Sequence, residues 1–561
     1  MEKFWLSSYP AGVPHDIDPD QYTSVSHLLE ESFQKNADRP FSVCMERWMS
    51  YRQLGADSAA LGAWLQSLGL EPGARVAIML PNVPQFAVTM AAVLRAGYTC
   101  VNVNPLYTAR ELAHQLKDSG ATAIVVLENF AHVLEEAITH TPVRHVVLAS
   151  MGDLLGFWYG RWITFAVRHL AKMVPAFKLP LTEGRTVTPF KQALAAGAQL
   201  TLKPAQLTPD SIAFLQYTGG TTGLSKGAIL THRNIVAAIL QAEAWFTPAL
   251  ERIGHARDTN SIAALPLYHI FALTLCLLAI RWGSHITLIP NPRDTGKFIE
   301  VLKRRPFHLL PAVNTLFNAL LQHPQFRSVD FSHLCVSQAG GMAASEGTAK
   351  HWRAVTGCPM VEGWGMSETC AIGTNNPVDT DKFSGTIGLP LPGIDIAIKD
   401  DDGNSFPLGE SGEICIKGPN VMTGYYQQPQ ETAQAFTADG FMRTGDIGIM
   451  DARGYTKIVD RKKDMILVSG FNVFPTELEN VISLCAGVLE CAVIGVPDAK
   501  QGEAIKVYVV RSDPTLSEED VAKYCAQNLT GYKHPKYIEF RDELPKSNVG
   551  KVLRRELRAG K

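Results

Sequence analysis

The sequence predicts a multidomain α/β protein, with a large N-terminal region, a β-rich segment and a small α+β region at the C-terminus. Three observations carry the prediction. At 561 residues the chain exceeds what one hydrophobic core organises, and a prior of roughly one domain per 150 residues asks for several cores or lobes. Apolar, β-branched runs alternate with helix-periodic stretches through the first half. Near residue 389 the character changes to shorter strands with Gly- and Pro-marked turns.

Taken in order, residues 75–80, 123–127 and 143–148 read as strands, and 84–95 and 108–118 read as helices. That alternation suggests a parallel sheet covered by helices. Residues 412–418 and 454–459 read as strands of the β-rich subdomain. The charged stretch 460–464 then precedes strand-like 492–496 and 505–510, consistent with a separate domain of about 100 residues. The reading therefore divides the chain into 1–459 (β-rich from about 389), a linker at 460–464, and 465–561. No internal repeat or low-complexity tract interrupts it.

Composition narrows the function classes. The chain is 46% hydrophobic and 19% charged, with 52 Lys+Arg against 54 Asp+Glu, which argues against disorder and against a mainly electrostatic nucleic-acid binder. The ten cysteines form no CxxC pair, so neither a zinc site nor a redox motif is visible, and reduced thiols in a cytoplasm are expected. Residues 1–10 lack the apolar core of a secretory signal. The uncharged run 261–280 is long enough to cross a bilayer, but Pro266, Tyr268 and His269 interrupt it, which favours a buried strand, turn and helix.

Residues 161–177 stand apart. A wheel at 100° per residue puts Arg161, Arg168 and Lys172 opposite Ile163, Ala166, Leu170, Met173 and Phe177, with Phe157, Trp158, Tyr159 and Trp162 at the start. Such a helix suits a membrane interface, cations toward anionic headgroups. It equally suits an ordinary surface helix packed on its own domain.

The sharpest motif runs from Tyr217 to Ala228: Thr218, Gly219, Gly220, Thr221, Thr222, Gly223, Leu224, Ser225, Lys226, Gly227. Its glycines and hydroxyls can wrap N–H and O–H donors around phosphate oxygens while Lys226 supplies a point charge. The order is not that of a Walker A loop, because Ser225 precedes the lysine and Gly227 follows it. Four further segments add specificity. Trp364, Gly365, Met366, Ser367 and Glu368 offer an aromatic platform for a base and a carboxylate for Mg²⁺. Asp446 ends a turn-rich segment and can accept hydrogen bonds from ribose hydroxyls. Arg461 lies in the charged linker, and Lys551 follows a Gly-containing turn near the C-terminus.

Together these motifs, in this order from about Tyr51 to Lys551, resemble the adenylate-forming (ANL) acyl-CoA synthetase superfamily, and within it the bacterial long-chain fatty acid–CoA ligases. The resemblance implies an AMP-binding adenylation domain followed by a mobile C-terminal domain that carries a catalytic lysine, Lys551. It implies that residues 218–226 hold the ATP phosphates, with Thr218 and Glu368 also catalytic and Glu368 the Mg²⁺ ligand. Trp364 would flank the adenine, Gly340 and Gly341 would wall it from the acyl carboxylate, and Asp446 and Arg461 would bind the ribose. His269 and Gly341 would line the acyl pocket, Gly470 and Phe471 would meet CoA, and Lys463 would be the hinge. A Trp gate described for some long-chain members has Leu273 at its position here.

The implied activity joins a fatty acid, ATP and CoA, with Mg²⁺ as cofactor, to give acyl-CoA, AMP and pyrophosphate, feeding fatty acid uptake and degradation. A cytoplasmic enzyme on the inner face of the membrane is expected, a homodimer is allowed, and nucleic acid is not a partner. Rival readings are a medium-chain or aryl acid–CoA ligase, an adenylating enzyme with a carrier-protein acceptor, and a non-catalytic lipid- or nucleotide-binding regulator. Acceptor preference separates the first rivals, and the intact set Lys551, Glu368 and Asp446 argues against the last.

Overall fold

The computed structural model of the chain describes residues 3–180, 184–218, 225–252, 254, 259–469, 471–498, 500–547 and 552–560, and only the backbone of Asn472. Among these, the largest sheet has eight strands. Its parallel part runs Ile212–Thr218, Thr99–Asn102, Arg75–Met79, Ala123–Leu127, His145–Ala149, Thr186–Pro189. The strand alternation divides two cores. Val76, Ile78 and Val125 pack into one, against helices Tyr51–Ser67 and Pro84–Arg95. Ala77, Met79, Ile124 and Val126 pack into the other, against Ala109–Ser119 and Ala131–Ile138. The helices form where expected because their ends are chemically marked: Thr108 and Glu111 close a capping box, and Gly120 ends the helix in the left-handed region at φ 62°.

A second layer is built from four-stranded sheets. Asn260–Ala263, His285–Leu288, Pro40–Cys44 and Arg47–Ser50 form one, and Ser337–Ala339, Met360–Trp364, Thr374–Asn375 and Leu389–Pro390 form another. The uncharged run resolves as that first strand, a turn, and the buried helix Ile270–Trp282. Among the described residues no helix is long and apolar enough to cross a membrane. An antiparallel sheet of Asp395–Lys399, Gly412–Lys417, Met442–Met450 and Thr456–Arg461 accounts for the β-rich change of character near 389. Beyond it, strands from Ile466–Val468 to Tyr537–Arg541 form a five-stranded sheet with a core of its own.

The wheel drawn on 161–177 is corrected. The α-helix covers only Phe157–Phe165, and a π-helical turn, Ala166–Leu170, then changes the period on which a 100° wheel depends. Tyr159, Ile163 and Val167 pack inward, so Ile163 is not on a free face. Gly160 lets the helix touch the 152 loop: a Cβ there would lie 2.1 Å from Gly152 O. Trp158, Trp162, Phe165, Leu170 and Met173 point outward, Trp158 with 81% of its surface exposed. Arg168 is not a free cation either, because its guanidinium holds the buried Glu128 at 2.5 Å.

Candidate functional site

Strand Met360–Trp364 and the loop that follows it form one wall of a cavity of about 270 Å³. Helix Ile270–Trp282 forms an adjoining wall, with Phe271 and Leu275 one turn apart facing inward. The 366–372 loop is held in a tight shape. Cys370 and Ala371 both adopt left-handed backbone (φ 53° and 64°), a conformation that costs such residues roughly 1 kcal/mol or more each. Thr274 Oγ1 donates to Cys370 O at 2.9 Å and Ala371 N to Met366 O at 2.9 Å, which fix the turn.

One end of the cavity is polar. Gly340, Gly341, Trp364, Gly365, Met366, Ser367 and Arg461 line it, so these sequence-predicted residues converge from three segments. A Cβ at Gly340 would meet the Phe271 ring at 2.9 Å, so a side chain there would displace that ring. Asp446 stands behind the lining: Trp364 Nε1 donates to its Oδ2 at 2.9 Å and Arg461 Nε to its Oδ1 at 2.6 Å. Register explains the second contact, because Asp446 and Arg461 are cross-strand partners of Met442–Met450 and Thr456–Arg461. Glu368, also behind the lining, accepts from Tyr425 Oη at 2.9 Å. Its burial holds its carboxyl above the usual range, against the opposing Tyr425 hydrogen bond and Arg461 charge.

The rest of the lining includes the apolar Ala242, Phe246, Leu265, Leu275 and Val313. His269 sits there at the N-terminus of helix Ile270–Trp282, and burial pushes its imidazole down to about 4, so it is neutral near pH 7. Leu273 does not face this space; it is fully buried in the core.

Thr218 and Lys226 are antiparallel partners, so the Gly/Thr-rich loop closes a hairpin instead of opening a helix. The expected phosphate contacts of Gly219, Gly220, Thr221, Thr222 and Gly223 lie outside the described residues, as do Gly470 and Lys551. Ser225 O is 3.1 Å from His114 Nε2, and Lys226 pairs with Glu431 above the Tyr425 ring. Glu431, Tyr425 and the apolar lining from Ala242 and Phe246 are missed by sequence reasoning. Lys226 and Glu431 are 205 residues apart, and no local pattern links them.

Linker attachments change over within three residues. Lys462 reaches back to Glu413 at 3.2 Å, whereas Asp464 holds Arg554 at 3.1 Å and Arg558 at 3.0 Å; Lys463 is exposed between them. Arg554 also pairs with Glu479 at 2.6 Å, so the basic residues after 551 are not simply a solvated tail. Phe471, 56% exposed, stacks on Tyr532 with ring centres 4.8 Å apart. All residues given for the cavity precede Lys462.

Residues 29–426 match the family model for the AMP-binding enzyme, and 477–551 that for the AMP-binding enzyme C-terminal domain. A long-chain-fatty-acid–CoA ligase of Yersinia pestis is 50% identical over 561 residues, covering 100% of this chain and 98% of its own. One from Escherichia coli O6:H1 is 49% identical over 560 residues with the same coverage. The crystal structure of ATP-bound MatB from Rhodopseudomonas palustris superimposes with a TM-score of 0.80 at 29% identity, over 95% of this chain and 98% of that one.

Proposed function

The chain belongs to the AMP-binding enzyme family, and from that premise we propose that it is a long-chain fatty acid–CoA ligase working in two half-reactions. One observation of geometry carries the reading: a single cavity gathers Trp364 and Arg461, with Asp446 behind them, and apolar side chains such as Phe246 and Leu265. Hydroxyls of a ribose suit the carboxylate of Asp446, an adenine suits the indole face of Trp364, and an acyl chain suits the space beside neutral His269.

A fatty carboxylate is a poor acyl donor because its leaving group would be oxide. Attack of a carboxylate oxygen on the α-phosphorus of ATP forms the acyl-adenylate and expels pyrophosphate. Two anions must approach, so charge and alignment dominate. We assign Lys551 to neutralise the carboxylate and α-phosphate, and residues 218–226 to hold the phosphates. In the second half-reaction the CoA thiolate attacks the acyl carbonyl and AMP leaves. Turning of the C-terminal domain about 460–464 would withdraw Lys551 and bring Gly470 and Phe471 to the thiol. The switch of attachments between Lys462 and Asp464 supports a hinge there.

Magnesium fits this site in a limited sense. Glu368 offers one hard carboxylate, and Mg²⁺ is commonly held by one or two such groups with substrate phosphates supplying the rest. Bound there, it would neutralise charge on the departing pyrophosphate.

We also propose peripheral contact with the inner face of a membrane through residues 157–173. Six large apolar side chains face outward beside Arg161 and Lys172, and no acidic residue occurs between Asp153 and Glu183. A homodimer is allowed, and light scattering reads the assembly.

The test is pyrophosphate and acyl-CoA formation from ATP, Mg²⁺ and CoA over acids of rising chain length, with aryl acids and a carrier protein as competitors. A maximum with long-chain acids and CoA is expected. Pyrophosphate without acyl-CoA would reassign the acceptor, and no pyrophosphate with any acid would leave only a binding role.

A further inference from the structure

Lys226 stands at the base of the Gly/Thr-rich hairpin, opposite Thr218, and its ammonium is held by a residue from outside the loop. Glu431 supplies that carboxylate from the first turn of the helix Pro429–Ala435. The contact is built, because the chain leading to Glu431 is tied to the lysine's own strand. Gly424 and Tyr425 pair with Ile229 and Ala228, and Tyr426 N donates to Gly227 O at 2.8 Å. Tyr425 N then donates to Thr432 Oγ1 at 2.9 Å, which sets the helix, and Glu431 with it, against that strand. The ammonium also lies 5.5 Å from the centre of the Tyr425 ring, so it meets both an aromatic face and a carboxylate.

A lysine that binds phosphate works best with its charge free, and Glu431 works against that. An approaching pyrophosphate meets a cation already neutralised in part and a carboxylate of its own sign. The competition is reversible, because 42% of the Glu431 side chain is exposed and water stabilises it when the lysine turns away. No residue of the helix Pro429–Ala435 is buried, and exposed ion pairs add little to stability. The larger consequence of the pair is therefore its effect on phosphate.

The adenylation step reverses if pyrophosphate stays: one of its oxygens attacks the phosphorus of the acyl-adenylate, the carboxylate leaves and ATP re-forms. Resting on the reading of residues 218–226 as the loop that holds the phosphates, we propose that Glu431 competes with the β- and γ-phosphates for Lys226 and takes the lysine back as pyrophosphate departs. It thereby loosens pyrophosphate and favours departure over reversal. AMP carries neither phosphate and escapes the competition.

The experiment measures pyrophosphate binding with Mg²⁺ by titration calorimetry, and pyrophosphate inhibition of acyl-CoA formation, each beside AMP, in wild-type protein and Glu431→Gln. The variant should bind pyrophosphate about fivefold more tightly, the size of an exposed ion pair, with AMP unchanged. Glu431→Ala should act in the same direction and decides the matter if Glu431→Gln does not fold. Added to Lys226→Met, Glu431→Gln should gain about twofold or less, because the two residues act as a pair. Unchanged or weaker pyrophosphate binding in both Glu431 variants overturns the proposal. So does an equal gain for AMP, or a gain that persists in full without Lys226. Wild-type protein that neither binds pyrophosphate nor is inhibited by it brings down the phosphate-loop reading and the proposal with it, a different result from a wild type that binds pyrophosphate and variants that match it.

Discussion

Trp364 holds Asp446. Its indole N–H donates to Asp446 Oδ2 at 2.9 Å, while Arg461 occupies Oδ1 at 2.6 Å, so the carboxylate is fixed from both sides although the residues are 82 positions apart in sequence. The aromatic platform expected at Trp364 thus has a second task, that of orienting an acid.

Trp364→Phe keeps an aromatic face and removes the donor. A hydrogen bond to a charged group contributes about 1.5–3 kcal/mol, so KM for ATP should rise roughly tenfold or more with a smaller change in kcat. Preference for ATP over its ribose-deoxy analogues should shrink as well. Steady-state pyrophosphate release measures both, and an unshifted KM would detach the indole from nucleotide binding.

Lys551→Ala should cripple adenylate formation and leave thioester formation from supplied acyl-adenylate much less affected. The two half-reactions are assayed separately. Equal losses in both would contradict a lysine that serves only the first.

Glu362 is buried on strand Met360–Trp364, accepts from Ala344 N at 3.0 Å, and burial pushes its carboxyl up to about 7 from 4.5. The folded state keeps the proton that the unfolded chain releases, so stability falls as pH rises from about 4.5 to about 7 and is level above that. The span is at most about 3 kcal/mol. Glu362→Gln should flatten this slope in denaturant titrations at pH 5, 6 and 8; an unaltered slope would show that another group causes it.

The 157–173 segment separates binding from stability. Reversing charge at Arg161 and Lys172 should weaken binding to vesicles rich in anionic lipid without lowering Tm. Arg168→Ala should instead cost about 1–3 kcal/mol of stability, because it leaves Glu128 buried without its cation. Vesicle cosedimentation and thermal melts distinguish the two, and unchanged sedimentation of the charge-reversed protein would rule out the interfacial contact.

Local signals were enough for much of the architecture. The strands at Arg75–Met79 and Ala123–Leu127 and the helix Pro84–Arg95 follow from β-branched runs, helical periodicity and a proline at the first helical turn. The segment 157–177 was misread in part because a wheel assumes one period throughout, and the π-helical turn breaks it. Its inward face depends on Gly160 meeting Gly152, a contact that periodicity does not encode.

The sequence by itself determined some of the chemical groups at the site, though not Tyr425, Glu431, Ala242 or Phe246. Gly340, Trp364, Glu368, Asp446 and Arg461 stand in short motifs whose residue types suit a nucleotide and its phosphates. Tertiary structure alone decided how such groups share their bonds: that Trp364 serves Asp446, that Tyr425 caps Glu368, and that the exposed Arg168 pairs with the buried Glu128. The reason is physical. A buried carboxylate must find donors wherever the fold brings them, and strand register and helix packing, which join segments tens to hundreds of residues apart, fix which donors those are.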